Sequence, residues 1–197
     1  MTEVSPSGVK AKWDRIHAEA ASQSPEPARV LAENAHMLPT SGTALDLACG
    51  LGGNARFLAG RGLAVAAWDI SEVALASLGA WSRENGRSVG CRCIDLENED
   101  FPAEEFDVVV VSRFLNRSIA PSIAAAVKPG GLLFYQTYTL DKLSSAGPSN
   151  PEFLLRQGEL LRLFSALIPR YYRDDGRAGD LDLGLRNEAC FVGQKPL

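Results

Sequence analysis

The chain has 197 residues, of which 46% are hydrophobic and 22% are charged, and its formal net charge is −4 with a pI near 5.3. This length and composition are typical of one globular domain, so we take residues 1–197 as a single domain in which residues 1–38 form a helical cap on a core of residues 43–197. The acidic balance argues against a nucleic-acid partner, which would need a basic face.

No apolar stretch reaches the roughly 20 residues that a membrane-spanning helix needs, and the N-terminus lacks the apolar region of a signal peptide. We therefore expect a cytoplasmic protein without a membrane partner, acting as a monomer or a homodimer. The four cysteines are not spaced as zinc ligands or as a disulfide framework. We predict buried free thiols and no metal site, with a redox pair of Cys91 and Cys93 as the alternative.

Hydrophobic periodicity predicts helices that alternate with short apolar strands. Residues 1–12 show no periodicity and are expected to be frayed. Helices are predicted at residues 13–21, 28–38, 54–61, 71–85, 119–128 and 151–166. Strands are predicted at residues 44–49, 64–69, 89–95, 107–112, 132–139, 170–174 and 188–195. This alternation indicates an α/β fold with a mostly parallel sheet.

The rest of the chain is organised around residues 43–57, which read as strand, tight turn and helix. Asp46 interrupts a strand that is otherwise apolar, and a buried carboxylate needs partners, for which the backbone N–H groups of the turn are the nearest candidates. Gly50 and Gly52 let the backbone turn tightly and approach a ligand. Asn54 is predicted to cap the helix that follows.

The spacing Gly50-x-Gly52-x-x-Ala55, with Asp69 at the end of the next strand, fits the fingerprint of dinucleotide-binding folds. An acid at that position accepts hydrogen bonds from ribose hydroxyls. The pattern alone does not distinguish a nicotinamide-dependent enzyme from another adenosine-binding protein with the same α/β topology.

The wider order of motifs resembles that of the class I S-adenosylmethionine-dependent methyltransferases. These motifs are D-L-A-C-G-L-G-G-N, A-W-D at 67–69, C-I-D-L at 93–96, F-D-V-V-V-V-S at 106–112 and V-K-P-G-G-L-L at 127–133. The resemblance implies a three-layer, Rossmann-like sandwich with a mostly parallel seven-stranded sheet and an antiparallel C-terminal hairpin strand. Asp46 argues against a dehydrogenase, whose first strand is usually apolar up to its glycine turn.

Over residues 13–195 the chain is most similar to the tellurite-resistance type of small methyltransferase, especially in F-L-L-x-x-G-E-L-L at 153–161. The resemblance implies S-adenosylmethionine as the cofactor. It assigns the methionine part to Asp46, Gly50 and Gly52, the ribose hydroxyls to Asp69 and the adenine amine to Asp95. The other cofactor-binding residues that we predict are Asn54 at the helix start, Ile70 and Leu96 as apolar walls, and Ser112 at the carboxyl edge of the sheet.

The methyl acceptor is predicted to be a small molecule, with a soft sulfur, selenium or tellurium nucleophile favoured. Arg113, Tyr138 and His17 are the predicted catalytic residues, and Asn116, Arg117 and Arg186 are predicted to bind the substrate. The chain departs from the resembled family because residues 176–186 contain arginines but no histidine. The alternatives are an N- or O-methyltransferase of a small metabolite, a nicotinamide-dependent oxidoreductase, and a non-catalytic cofactor-binding protein.

Overall fold

The computed structural model describes residues 6–20 and 24–197. Its α-helices are α1 (Pro6–Ala20), α2 (Arg29–Glu33), α3 (Gly53–Gly60), α4 (Glu72–Glu84), α5 (Ala120–Ala125) and α6 (Glu159–Leu163). Its strands are β1 (Thr43–Leu47), β2 (Ala64–Asp69), β3 (Val89–Cys93), β4 (Phe106–Ser112), β5 (Val127–Tyr138), β6 (Ile168–Arg173) and β7 (Glu188–Gln194). Two short 3-10 helices cover Ala35–Met37 and Pro151–Phe153.

The chain divides into two compact units, of which the first comprises residues 1–28 and 39–102. In this unit β1, β2 and β3 lie side by side and run parallel, with Thr43 opposite Ala64 and Val65 opposite Val89. Helix α4 begins where the hydroxyl of Ser71 accepts a hydrogen bond from the N–H of Ala74 (3.2 Å). The parallel register brings the carboxyl ends of β1 and β2 to the same edge.

The second unit comprises residues 29–38 and 103–197, and its strand order is β4-β5-β7-β6. β4 and β5 are parallel, whereas β7 runs antiparallel to both of its neighbours. The four valines at 108–111 are fully buried, as expected for a strand covered on both faces. Aromatic rings fill the core beside β5: Phe164 is tilted against Tyr135 (5.4 Å between centroids) and stacks on Phe191 (6.0 Å).

The predicted fold class is confirmed: the strands form a seven-stranded, mostly parallel sheet with helices, and the C-terminal hairpin supplies the antiparallel strand. No helix in the described part of the chain is long and apolar enough to cross a membrane.

Three details differ from the sequence-based predictions. Helix α1 starts at Pro6, so part of the segment expected to be frayed is helical; proline is well tolerated in a first helical turn. The helix predicted at 151–166 is broken into a 3-10 turn and the short α6, because Gly158 adopts a left-handed conformation (φ +62°) immediately before α6. Cys91 and Cys93 are exposed rather than buried, since β3 pairs on only one side in its unit.

Candidate functional site

The carboxyl group of Asp46 is buried inside the first unit and stabilises the start of α3 through hydrogen bonds. Its Oδ2 accepts a hydrogen bond from the N–H of Ala55 (2.9 Å), and its Oδ1 accepts one from Nδ2 of Asn54 (3.1 Å). A backbone N–H partner was expected from the glycine turn; the donor, Ala55, lies instead in the first turn of α3. Asp46 is 0% exposed, and this burial raises its pKa to about 7.

Asn54 joins two segments instead of capping the helix. Its Oδ1 accepts a hydrogen bond from the N–H of Ala28 (2.8 Å), while its Nδ2 donates to Asp46. Helix α3 is capped by the backbone of Gly52, without a side-chain bond, so the predicted capping role of Asn54 is wrong. The amide orients Asp46 and anchors the chain that leads into α2.

The turn after β1 depends on backbone conformations that favour glycine. Gly50 and Gly52 have φ of +49° and +80°, and Ala48 has a φ of +53°, which is strained for a residue with a Cβ. Gly53 is required for another reason: a Cβ there would lie 2.2 Å from the carbonyl oxygen of Glu26. The chain at residues 25–26 therefore passes directly against the turn.

Asp69 ends β2 with both carboxylate oxygens held by main-chain donors. The N–H of Gly50 donates to Oδ2 (2.8 Å) and the N–H of Ser71 donates to Oδ1 (2.8 Å). Asp69 is 7% exposed. Each carboxylate oxygen can accept a second hydrogen bond, so the group is pre-oriented and retains acceptor capacity.

The neighbouring predicted residues line the same edge of this unit. Ile70 is half-buried after β2, and Leu96 is buried in the turn after β3. The carboxylate of Asp95 accepts hydrogen bonds from the N–H of Glu97 (3.0 Å) and from Nδ2 of Asn98 (2.8 Å). Asp95 therefore shapes its own turn, and reading an adenine amine remains a prediction.

Helix α1 packs against the turn through residues that the sequence analysis only partly identified. The imidazole of His17 lies against Gly50, where a Cβ would come 3.1 Å from Cε1, and the indole of Trp13 stacks on this imidazole (5.7 Å between centroids). Asp14 was missed. Its Oδ1 accepts hydrogen bonds from Oγ of Ser71 (2.7 Å) and from the N–H of Val73 (3.3 Å), at the start of α4.

In the second unit, Ser112 and Arg113 lie at the carboxyl end of β4, as predicted from the sequence. Ser112 is half-buried, and Arg113 has a left-handed φ of +55°. The N–H of Arg113 donates to the carbonyl of Gln136 (2.8 Å), while its side chain is 71% exposed and its Nε lies 3.6 Å from Oε1 of Glu188. The strained backbone thus turns the arginine outward at the strand end.

Arg117, predicted to bind the substrate, is instead engaged in internal contacts. Its Nε and Nη2 donate to the two carboxylate oxygens of Glu159 (2.7 and 3.0 Å), and it also donates to the carbonyls of Glu152 (2.5 Å) and Leu154 (2.9 Å). This paired geometry satisfies most of the guanidinium. A cavity of about 200 Å³ lies beside the ion pair and is lined by Arg117, Leu140, Pro151, Glu152, Arg156 and Glu159.

Arg186 is likewise engaged internally, at the centre of the loop that precedes β7. Its guanidinium donates to backbone carbonyls at Asp175, Gly176, Ala178, Asp180 and Leu183. The side chain therefore organises this loop, and a role in binding the substrate stays a prediction. Asn116 also serves a turn, because its Oδ1 accepts hydrogen bonds from the N–H (3.0 Å) and the Oγ (2.7 Å) of Ser118.

Tyr138 is the last residue of β5 and lies directly opposite Glu188 of β7. Gly147 covers its ring, since a Cβ on that glycine would come 2.6 Å from the aromatic carbons. Glu188 and Gln136 were both missed by the sequence analysis, although both are buried. The signal that could have found them is a polar residue inside an apolar strand, which needs a partner.

Comparisons with known proteins give a domain match, partial relatives and solved structures of the same fold. Residues 44–131 match the family model described as a methyltransferase domain. A curated relative from Idiomarina loihiensis, named ubiquinone biosynthesis O-methyltransferase, is 33% identical over 99 residues. The match covers 47% of this chain and 41% of the relative, so the chain spans less than half of that protein.

Solved structures show the same fold at low identity. TehB from Haemophilus influenzae is 18% identical with a TM-score of 0.70, and the match covers 93% of this chain and 67% of that one. An S-adenosylmethionine-dependent methyltransferase from Mesorhizobium loti is 17% identical with a TM-score of 0.66, covering 85% and 98%. The cyclase SpnF, at 18% identity and a TM-score of 0.72 with 96% of each chain covered, shows that this fold also hosts another reaction.

Proposed function

We propose that the chain is a class I S-adenosylmethionine-dependent methyltransferase that transfers the methyl group of S-adenosylmethionine to a small molecule, a proposal supported by the methyltransferase-domain match over residues 44–131 and by the shared fold. The observation that carries the proposal is the carboxylate of Asp69, held by the N–H groups of Gly50 and Ser71 at 2.8 Å each. Two adjacent ribose hydroxyls match the remaining acceptor capacity of a two-oxygen carboxylate.

The first unit supplies the cofactor contacts in this proposal. Gly50 and Gly52 bring main-chain atoms close to the methionine moiety of the cofactor. Asp46 and Asn54 stabilise the conformation of the turn. Ile70 and Leu96 give apolar walls to the adenine, and Asp95 accepts from its amine. Ser112, at the end of β4 in the second unit, stays a sequence-based prediction.

Helix α1 acts as a cover over the cofactor in this proposal. His17 and Trp13 lie against the glycine turn, and Asp14 ties the helix to Ser71, whose own N–H holds Asp69. The cover excludes water from the sulfonium, which favours an in-line displacement between two aligned reactants.

A hydroxyl-bearing small molecule is the acceptor that we propose first. The soft acceptor favoured by the sequence relied on an arginine-lined pocket, and two of its three arginines are engaged in internal hydrogen bonds. The curated relative described above is named as an O-methyltransferase. A thiolate or selenolate is the second candidate, and the exposed guanidinium of Arg113 favours it because a cation attracts and orients an anion.

The test is methyl transfer from S-adenosylmethionine to four acceptor panels, which are phenols, aliphatic alcohols and amines, thiols, and selenols. We expect methylated phenols in the mass spectrum of the wild-type reaction. Activity confined to thiols and selenols would select the second candidate. Cofactor binding with no turnover on any panel would indicate a binding protein, and oxidation of a reduced nicotinamide would indicate an oxidoreductase.

Arg113→Ala separates the acceptor side from the cofactor side. We expect this variant to lose turnover on an anionic acceptor while retaining its affinity for S-adenosylhomocysteine. Arg170→Ala is the matched control, because Arg170 is an exposed arginine of the same unit whose guanidinium donates to the side chain of Gln194 (2.6 Å). Equal losses in both variants would argue against a specific role for Arg113.

A further inference from the structure

The cavity of about 200 Å³ in the second unit is lined mainly by charged residues. Four of its six lining residues carry a charge, and the other two are Leu140 and Pro151. Sites for drug-sized ligands begin at roughly 300 Å³, so this cavity suits a smaller molecule. All six residues belong to the second unit, and the whole cavity therefore lies within it.

Arg117 and Glu159 form a fixed ion pair in this lining. Nε and Nη2 of Arg117 donate to the two carboxylate oxygens of Glu159 (2.7 and 3.0 Å), and the N–H of Arg156 donates to Oε2 as well (2.7 Å). Burial acts to raise the pKa of Glu159, but these hydrogen bonds hold that pKa below its usual range. The pair is therefore ionised at neutral pH, and its two charges neutralise each other.

Arg156 and Glu152 supply the other two charges of the lining, and both residues are exposed. Their main chains are held by hydrogen bonds. The N–H of Glu152 donates to Oδ1 of Asn150 (3.1 Å), and its carbonyl accepts from Nη1 of Arg117 (2.5 Å). One cation and one anion are thus presented to the cavity and to solvent from a fixed backbone.

The segments that form the wall are joined to each other by main-chain contacts. Thr139 forms a β-bridge with Leu155, and the N–H of Leu140 donates to the carbonyl of Leu155 (2.9 Å). Arg117 also donates to the carbonyl of Leu154 (2.9 Å). Because these contacts exist in the free protein, a ligand does not have to order the wall when it binds.

The charge pattern discriminates between classes of ligand. An anion attracted by Arg156 meets the carboxylate of Glu152 in the same lining, and a cation attracted by Glu152 meets the guanidinium of Arg156. A ligand with a single charge therefore gains at one residue and loses at the other. A molecule that carries both charges forms a charge-assisted hydrogen bond at each.

We propose that this cavity binds a small zwitterion of the α-amino-acid class with an aliphatic side chain. The guanidinium of Arg156 binds its carboxylate, and the carboxylate of Glu152 binds its ammonium group. Leu140 and Pro151 supply the apolar surface for its side chain. This binding site goes beyond the proposed function and does not depend on it.

An amide NMR titration of the isotope-labelled protein with L-leucine, in the absence of S-adenosylmethionine, tests the proposal. The comparison ligands are N-acetyl-L-leucine, which lacks the ammonium group, and isopentylamine, which lacks the carboxylate. We expect the amide signals of the lining residues to shift. L-leucine should bind at least tenfold more tightly than either comparison ligand, because each of these has lost one charge-assisted hydrogen bond.

Two variants assign the two ends of the ligand. Arg156→Ala should lower the affinity for L-leucine at least tenfold without lowering that for isopentylamine. Glu152→Gln should lower the affinity for L-leucine by a similar factor without lowering that for N-acetyl-L-leucine. Both substitutions keep the main-chain groups that contact Arg117 and Glu159. Thermal melting confirms that each variant is folded.

Arg170→Ala and Glu105→Gln are the matched controls. Both residues are exposed and belong to the second unit, and they lie outside the lining of the cavity. Each control should bind L-leucine as tightly as wild type does.

Three results would overturn the proposed zwitterion site. They are unshifted lining signals at millimolar L-leucine, equal affinities for the three ligands, and an affinity for L-leucine that is unchanged in Arg156→Ala and Glu152→Gln or falls equally in the controls. The titration involves neither the cofactor nor turnover. Failure of methyl transfer would therefore leave this site standing, and failure of L-leucine to bind would leave the proposed function standing.

Discussion

The main-chain N–H of Gly50 donates a hydrogen bond to Oδ2 of Asp69 at 2.8 Å, across 19 residues of sequence. This bond ties the turn that follows β1 to the acid that ends β2. The ligand-facing backbone and the proposed ribose acceptor are consequently fixed relative to each other before a cofactor enters, which reduces the ordering that binding requires.

Asp69→Ala should weaken the binding of S-adenosylhomocysteine at least tenfold. Charge-assisted hydrogen bonds contribute about 1.5 to 3 kcal/mol each, and a factor of ten corresponds to about 1.4 kcal/mol. Titration calorimetry measures the change. Asp95→Ala serves as a comparison, since its carboxylate is bonded within an exposed turn; a loss in that variant larger than in Asp69→Ala would contradict the assignment of the ribose to Asp69.

Asp46 should make the free energy of unfolding fall as the pH rises from about 4 to about 7. Its pKa is about 7 when folded and near 3.8 when exposed, so in this window the native state holds a proton that the unfolded state has released. The stability is therefore highest below the unfolded pKa and decreases until the folded group ionises. A pKa difference of this size corresponds to at most roughly 4 kcal/mol.

Urea unfolding of wild type and Asp46→Asn at about pH 5 and about pH 8 measures this contribution. The variant should lose less stability than wild type between the two pH values, because asparagine cannot ionise. Contributions from other titrating groups cancel in the comparison. Parallel pH dependences of the two proteins would contradict the buried, protonated state of Asp46.

Local patterns explain why the strand, the glycine turn and the acid of the proposed cofactor site could be placed from the sequence. The strand, the glycine turn and the acid after β2 are each encoded within a few residues, and the parallel register of β1 and β2 brings them together. The seven strands followed from apolar periodicity for the same reason. The helix predicted at 151–166 failed because its apolar spacing hides the left-handed backbone of Gly158.

The partners of long charged side chains could not be predicted. Arg117 pairs with Glu159, which is 42 residues away, and Gln136 donates to Glu188, which is 52 residues away. Such pairings depend on which loops meet after folding. An exposed arginine and an arginine saturated by carbonyls have the same appearance in a sequence, and for this reason the internal contacts of Arg117 and Arg186 were not predicted.

Gly53→Ala should destabilise the protein by about 1 to 3 kcal/mol, because the new methyl group overlaps the carbonyl oxygen of Glu26. The backbone at residues 25–28 must move, which also weakens the hydrogen bond from Ala28 to Asn54. Gly60→Ala is the matched control at the other end of α3, where a Cβ meets nothing within 4 Å. It should raise stability by up to about 1 kcal/mol. Equal effects in urea unfolding would contradict the close approach at Gly53.

Residues 6–20 should become better protected from hydrogen exchange when S-adenosylhomocysteine binds. Asp14 connects α1 to Ser71 (2.7 Å) and through it to Asp69, so a ligand that orders Asp69 also stabilises the docked helix. Asp14→Ala should reduce this protection and lower cofactor affinity. Lys10→Ala, which removes the partly exposed ion pairs with Asp14 (3.0 Å) and Glu72 (3.3 Å) but keeps the hydrogen bond of Asp14 to Ser71, should have a small effect. Identical exchange with and without the ligand would show that α1 is not coupled to the cofactor.

Transfer of a labelled methyl group from S-adenosylmethionine to small molecules tests the central claim most directly. Purified protein is incubated with the labelled cofactor and a low-molecular-mass cell extract, and the products are analysed by mass spectrometry. The account predicts labelled small molecules with wild type and at least a tenfold lower yield with Asp69→Ala at a limiting cofactor concentration. Absence of labelled small molecules, although the protein binds the cofactor, would contradict it.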